Sequence, residues 1–176
     1  MYKLLYICTH NRCRSILSEA ITNHYSNGLV HAESAGCSPC GAVHPLSLKY
    51  LVERDISVEG LRSQAIDEFE YYDPDIVITV CDSAARESCP IWFGDALRLH
   101  WGLPDPSKIE NIVEAQSAFY QVISEIRNRT LAINALAKAQ YDIQIFKDKF
   151  KKMVRKSPFV TLTHAVNNAG QQSFVN

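Results

Sequence analysis

The stretch from Lys3 to Gly28, KLLYICTHNRCRSILSEAITNHYSNG, most constrains what this chain can fold into. Lys3 to Cys8 is a short, nearly continuous apolar run, as a strand buried on both faces would be. After it, Ile16, Leu17, Ala20, Ile21 and Tyr25 recur with helical spacing, and Asn27-Gly28 supplies a helix terminator. A strand therefore hands over to a helix within one tight loop: Cys8, Thr9, His10, Asn11, Arg12, Cys13, Arg14 and Ser15. The backbone N–H groups of such a loop and the free N–H groups of the helix start converge on one point, which favours an anion. Arg14 adds a planar fork that can hold two oxygens. In the same field the Cys8 thiol is expected to fall from about 8.5 to about 5.5, becoming nearly all thiolate at neutral pH and a nucleophile. Asn11 is a residue type that tolerates the left-handed conformation a tight cradle needs, and Ser15 is placed to donate to the sulfur.

The remaining segments repeat the alternation. Leu29–Gly36 reads as a second strand, the segment opening at Pro45 (HPLSLKYLVERDI) as a second helix, Asp75–Cys81 as the clearest strand and Ala96–Trp101 as a more exposed fourth. Strands alternating with helices predict an α/β fold with a four-stranded parallel sheet and helices on both faces, with ligands at the carboxyl ends of the strands. Cys8, Cys81 and the loop after Trp101 all fall at such ends. No Gly or Pro occurs from Ser107 to Ser157, while Phe119, Ile123, Ile126, Ile133 and Ala137 keep helical spacing, so a long C-terminal helical extension follows. One unbroken helix would overrun the domain, which predicts a break near Tyr141–Asp142, with a single protruding helix as the alternative. Residues 147–156 carry six basic side chains against one acidic, the pattern of a solvated helix face. The expected organisation is one domain over 1–156 and a C-terminal tail, 157–176, of unassigned role.

Charge and cysteine usage narrow the function classes. A formal charge of −1 over 176 residues argues against nucleic acid as a partner, so any phosphate-like chemistry is local. No leader-like segment and no apolar run of membrane-spanning length stands out, which predicts a cytoplasmic protein without a membrane partner. In that setting the six cysteines (Cys8, Cys13, Cys37, Cys40, Cys81 and Cys89) are read as reactive or buried thiols rather than a disulfide frame.

The loop CTHNRCRS resembles the phosphate-binding loop of the low-molecular-weight protein tyrosine phosphatase family, which includes the arsenate reductases built on that fold. The resemblance continues through Ser34-Ala35-Gly36, HPLSLKYLVERDI, GLRSQAIDEF and HWGLPDP, over roughly residues 1–130. It implies the phosphotyrosine protein phosphatase I-like arrangement of the sheet. It also implies Cys8 as nucleophile, Arg14 as oxyanion clamp, the amides of Thr9, His10, Asn11, Arg12, Cys13, Arg14 and Ser15 as the anion cradle, and Asp105 of the Asp-Pro pair as general acid.

Two branches share that cradle. TVCDSAARESCP resembles the redox segment of the arsenate reductases, which implies a relay: Cys81 and Cys89 pass a disulfide outward after Cys8 has engaged arsenate. The interval from Cys81 to Cys89 is one residue longer than in the thioredoxin-coupled reductases. Aromatic residues that would wall a phosphotyrosine ring are missing after Asp105-Pro106, where Ser107-Lys108 follow, although Tyr71-Tyr72 and Trp92-Phe93 offer aromatic surface from other loops. The expected function is thus an arsenate reductase with no bound cofactor, an external thiol reductant (thioredoxin, or glutathione with glutaredoxin) and arsenate as substrate, phosphate competing. The alternatives are a low-molecular-weight protein tyrosine phosphatase and a non-catalytic oxyanion-binding module. Some relatives hold potassium through an Asp where this chain has Ala65, so no metal is expected. Cys37-Ser-Pro-Cys40 reads as a thioredoxin-type dithiol, half of a zinc site or a loop near the active site, and its Gly- and Pro-punctuated surroundings fit the last. His10, His44 and His100 have local explanations as loop, helix-entry and strand-end residues.

Overall fold

A computed structural model describes residues 1–86 and 93–155. The strands are β1 (Tyr2–Cys8), β2 (Val30–Gly36), β3 (Ile76–Thr79) and β4 (Leu97–His100); the helices are α1 (Arg14–Tyr25), α2 (Pro45–Val52), α3 (Asp82–Arg86), α4 (Ile112–Ala137) and α5 (Ile143–Arg155). All strand pairings are parallel in the order β2-β1-β3-β4, so the chain leaves β1 to one side for β2 and returns to its other side for β3. That reversal puts the switch point between the carboxyl ends of β1 and β3, where Cys8 and Cys81 sit.

The central strands carry the core because both their faces are covered. Leu4, Leu5, Tyr6 and Ile7 of β1 and Ile76, Val77 and Ile78 of β3 are at most 1% exposed. Alternation along β1 sends Tyr6 towards α1, where its hydroxyl meets Thr22 Oγ1 at 2.9 Å, and Lys3 to the opposite face, where Nζ donates to the Tyr72 carbonyl at 3.0 Å. A helical turn, Ile66–Phe69, belongs to that second covering segment. On the first face α4 lies along α1, joined by Thr22–Thr130 hydroxyl contact at 3.3 Å and by Asn134 Nδ2 donating to the Tyr25 carbonyl at 2.8 Å.

The long C-terminal helical run is broken, as its length required. Without Gly or Pro, the break is made by Gln140 at φ +49° and by Asp142, whose Oδ1 accepts the N–H groups of Gln144 and Ile145 at 2.9 and 3.1 Å. The chain thereby folds α5 back onto the sheet. Phe146 and Phe150 are fully buried; Phe146 stacks on Tyr2 with ring centroids 3.6 Å apart, and Phe150 stacks on Trp101. The Tyr2 hydroxyl donates to the Tyr141 carbonyl at 2.6 Å, fastening the break itself. Lys147, Lys149, Lys151 and Lys152 of α5 are exposed or half-buried, as expected of a solvated helix face.

If α5 is an integral part of this core, Phe146→Ala destabilises the protein by about 3–5 kcal/mol, the usual cost of emptying a buried Phe site. It also opens the connection 138–142 to limited proteolysis. Thermal unfolding and protease mapping check this, and an unchanged melting temperature contradicts it.

Candidate active site

The loop between β1 and α1 is shaped from outside by its carbonyls. Those of Cys8, Thr9, His10 and Arg12 accept the N–H groups of Cys37 (3.3 Å), Ser38 (2.8 Å), Cys40 (3.2 Å) and His44 (2.8 Å). With carbonyls bound outward, the loop's N–H groups turn inward. Asn11 N–H donates to Cys8 Sγ at 3.1 Å, and the Ser15 N–H adds a second contact to the same sulfur. The loop passes so close to β2 that a Cβ on Gly36 would lie 2.8 Å from Thr9 O and 2.9 Å from Asn11 Cβ, so only glycine fits there.

Asn11 is the hub, fully buried and at φ +43°, in the left-handed conformation expected of it. Its Oδ1 accepts the Gln64 backbone N–H at 2.7 Å, which fixes the amide's orientation. Nδ2 therefore donates to Ser15 Oγ at 2.9 Å and to Ser34 Oγ at 2.8 Å. With its lone pair engaged by Asn11, Ser15 directs its own proton to Cys8 Sγ, 2.9 Å away.

The electrostatics correct one expectation. Burial pushes the Cys8 thiol up from its ordinary value, against the downward pull of the Ser15 hydroxyl and the Asn11 N–H. The direction of that shift is opposite to the fall expected from the loop sequence. Arg14, for its part, is already engaged within the protein. Its Nη2 is 2.8 Å from Asp105 Oδ2 and its Nη1 donates to the Leu103 carbonyl at 3.1 Å, so the guanidinium faces a carboxylate already present in the protein. Asp105 caps the short 3₁₀ turn Pro106–Lys108, Oδ1 accepting from Ser107 N (3.2 Å) and Oγ (2.7 Å). Arg14 and Asp105 do meet, but as a closed ion pair.

Cys81 joins the site at the end of β3. It is 4% exposed, its Sγ lies 3.5 Å from Thr9 Oγ1 and accepts the Ala84 N–H at 3.4 Å, and its charge reaches Cys8, acting to raise that thiol further. Cys89 lies outside the described residues, as does Trp92. Cys13 packs in the core with its thiol pushed up to about 12 by burial, which makes it inert. Thr9 is half-buried and His10 exposed at the mouth, while Arg12 lies beside His44, whose ring is pushed down by burial and by the Arg12 charge. Ala65 pairs with Gly36 in an isolated bridge and brings no carboxylate. Among the described residues no group of three or more His, Cys, Asp or Glu side chains is arranged to hold a metal ion. His100 is held between Thr79 Oγ1 (3.0 Å) and Asp82 Oδ1 (3.2 Å). No helix among the described residues is long and apolar enough to cross a membrane.

Tyr71 is 91% exposed, and Tyr72 reaches the Leu4 and His31 carbonyls, away from the carboxyl ends of the strands. Neither walls the cradle.

One residue of the site escaped the sequence reading. Glu19, one turn along α1 from Ser15, is 7% exposed, with Oε2 buried and unpartnered. Burial pushes its carboxyl up to about 7; hydrogen bonds from Ser34 oppose the rise, Glu33 adds to it and Arg62 counters it. Ser34 links it to Asn11, so a proton-bearing carboxyl stands behind the cradle. Its i+4 relation to Ser15 on the inward face of α1 was the available signal.

A family model described as low molecular weight phosphotyrosine protein phosphatase matches residues 3–142. The arsenate reductase of Bacillus subtilis (strain 168) is 34% identical over 129 residues, covering 72% of this chain and 91% of its own length. A solved arsenate reductase in the phosphate binding state superposes with a TM-score of 0.65 at 25% identity, over 77% of this chain and 98% of that one. The thioredoxin-dependent arsenate reductase of Corynebacterium glutamicum gives a TM-score of 0.63 at 26% identity, over 80% of this chain and 64% of that one.

The raised Glu19 carboxyl sets a pH dependence of stability. A carboxyl held above its unfolded value contributes stability in full below about pH 4.5, and that contribution is lost as pH rises through about 7. Glu19→Gln mimics the protonated form and removes the loss, on the order of 3 kcal/mol. Urea unfolding near pH 5 and near pH 8 checks it; the same pH dependence in variant and wild type contradicts it.

Proposed function

The chain belongs to the low molecular weight phosphotyrosine protein phosphatase family, and from that membership we propose that it is an arsenate reductase, converting arsenate to arsenite. The observation that carries this reading over phosphate-ester hydrolysis is the second buried thiol: Cys81 Sγ sits 3.5 Å from the hydroxyl of Thr9, the residue next to Cys8. Hydrolysis has no use for it, whereas reduction of arsenate needs a thiol able to reach the first sulfur. The absence of a ring-walling residue in Asp105-Pro106-Ser107-Lys108, and the distant engagements of Tyr72, favour a small inorganic anion for the same reason.

The Arg14–Asp105 pair supplies the activation step. In the resting arrangement burial favours the protonated form of Cys8, and the Asp105 carboxylate faces Arg14. Moving one proton's worth of charge, so that Cys8 is thiolate and Asp105 is the acid, leaves the proton count unchanged and releases the guanidinium to the incoming oxyanion. This second arrangement is the reactive one: nucleophile ionised, clamp free and acid charged with the proton it must give.

Cys8 thiolate then forms an S–As bond while an As–O bond breaks, and Asp105 protonates the leaving oxygen, which departs as water. The inward N–H groups of Thr9 to Ser15 and the Arg14 fork hold the remaining oxygens. Cys81 thiolate attacks the Cys8 sulfur next; the S–S bond forms, the S–As bond breaks with its electron pair left on arsenic, and arsenite leaves. Two thiols have become one disulfide and As(V) has become As(III). Cys89 thiolate takes over Cys81, returning Cys8 to the thiol, and an external dithiol reduces the Cys81–Cys89 disulfide. Thioredoxin is the favoured donor on the likeness to the Corynebacterium glutamicum enzyme, with glutathione and glutaredoxin as the other candidate. A reducing cytoplasm suits a chain whose proposed chemistry needs Cys8 and Cys81 as thiols.

NADPH oxidation dependent on arsenate, coupled through thioredoxin or through glutathione and glutaredoxin, tests the reading. Wild type turns over repeatedly; Cys8→Ser loses activity by several orders of magnitude; Cys89→Ser is limited to about one arsenite per protein. Sustained turnover in a Cys81→Ser, Cys89→Ser double variant contradicts the relay. Rapid aryl phosphate hydrolysis without arsenate reduction identifies a phosphatase, and anion binding without turnover identifies a binding module; both overturn the proposal.

A further inference from the structure

His100 stands outside the relay, yet its ring brackets the turn that carries Cys81. On β4 it lies opposite Thr79 of β3, and its Nδ1 meets the Thr79 hydroxyl at 3.0 Å. Its Nε2 lies 3.2 Å from Oδ1 of Asp82, the first residue of α3. A carboxylate only accepts, so Nε2 carries the hydrogen. One imidazole, with 11% of its side chain exposed, therefore ties the end of a strand to the start of a helix across Val80 and Cys81. The loop that leads to Asp105 closes in on the same pair: a Cβ on Gly102 would lie 3.2 Å from His100 Nε2 and 3.7 Å from Asp82 Oδ1.

What hangs on this tie is the direction of a sulfur. Cys81 Sγ accepts the Ala84 N–H at 3.4 Å and lies 3.5 Å from Thr9 Oγ1. Ala84 belongs to the turn of α3 that Asp82 opens, so the donor facing the sulfur is placed by the residue that His100 holds. Among the described residues α3 spans only Asp82–Arg86, and so short a helix depends on contacts outside itself. Attack of one sulfur on another is fast only when the incoming thiolate is held in reach and in line, so a tie that fixes Cys81 acts on rate without touching the reacting atoms.

We propose that His100, acting through Asp82, is a positioning residue for the reduction: it holds the first turn of α3 so that the Cys81 sulfur stays within reach of Cys8. The step it serves is the one in which the Cys81 thiolate forms the S–S bond while the S–As bond breaks and its electron pair stays on arsenic. His100 supplies neither proton nor electron to that step. The step rests on the arsenate-reduction reading; the placement of Cys81 does not, because a small oxidant can close the same disulfide without arsenate.

The experiment uses the full chain with Cys89→Ser, so that a Cys8–Cys81 disulfide is not passed on. Diamide takes two electrons and two protons from the two thiols, and peptide mass spectrometry reads the rate of closure. Arsenite release is followed in a single turnover, and iodoacetamide alkylation of Cys8 reports the cradle. His100→Phe keeps a ring without its nitrogens, while Asp82→Ala removes a side chain that is 83% exposed and leaves the fold intact. Each is expected to slow disulfide closure and arsenite release about fivefold or more, with Cys8 alkylation within about twofold of the parent chain. The double variant is no slower than the slower single one, as a coupled pair requires, and His100→Gln, which keeps a donor at the Nε2 position, recovers most of the rate. Unchanged closure in Asp82→Ala, or losses that multiply in the double variant, overturns the role. Cys8 alkylation that falls in step with closure also overturns it, since the whole pocket would then have loosened. Slowed closure in variants of a chain that itself releases no arsenite upholds the placement of Cys81 and overturns the arsenate-reduction reading alone.

Discussion

In the proposed activation step, Cys8 and Asp105 compete for one guanidinium. Arg14 is the fork that the loop aims at an oxyanion, but here it lies 2.8 Å from the Asp105 carboxylate, and burial pushes the Cys8 thiol up. Charge in this pocket is shared rather than accumulated. A thiolate, a carboxylate and a bound dianion in one largely buried space would repel one another strongly. In the proposed reduction, Asp105 takes a proton as Cys8 gives one up, which holds the net charge constant while the clamp passes from the protein's own carboxylate to the substrate. On that proposal the ion pair is a resting partner for Arg14, and Asp105 is the source of the proton that the leaving oxygen needs.

Everything else in the cradle serves to hold that small set of atoms still. Asn11 reads the positions of three other segments at once: the start of α1 through Ser15, β2 through Ser34 and the loop before the helical turn through the Gln64 N–H. Its left-handed backbone and the bare Cα of Gly36 are two halves of one close approach. The outward carbonyls bound by Cys37, Ser38, Cys40 and His44 fix the loop from the other side. Behind this network stands Glu19, a carboxyl that burial keeps proton-bearing into the neutral range, contributing polarity to the Ser34–Asn11–Ser15–Cys8 chain. The same rigidity keeps Cys81 beside Thr9, where the proposed relay needs a second sulfur and where it adds to the rise of the Cys8 thiol.

How much of this was legible from residues alone follows from the range of each interaction. β1, α1 and β3 announce themselves through apolar runs and helical spacing, and the parallel sheet follows from alternation. β3 is regular only from Ile76 to Thr79, shorter than its apolar run suggests, although Val80 N–H still donates to the Ile7 carbonyl at 2.9 Å. The break after α4 was deducible from length, but not its device, since Gln140 is no customary left-handed residue and Asp142 caps a helix only once the chain has turned. The cradle was legible because its parts are contiguous. What the loop alone did not show is that burial pushes the Cys8 thiol up and that Arg14 meets a carboxylate 91 positions away. Glu19 was missed for a related reason, as a glutamate on an amphipathic helix looks the same whether it faces water or a neighbouring strand.

The competition for Arg14 is tested most directly by the pH dependence of Cys8 alkylation by iodoacetamide, followed by peptide mass spectrometry in wild type and in Asp105→Asn. Removing the carboxylate frees the guanidinium for the sulfur, so the alkylation midpoint of Cys8 moves to lower pH by at least about one unit. An unchanged midpoint, or one displaced upward, contradicts the account, because Arg14 would then not be the charge that decides when Cys8 ionises.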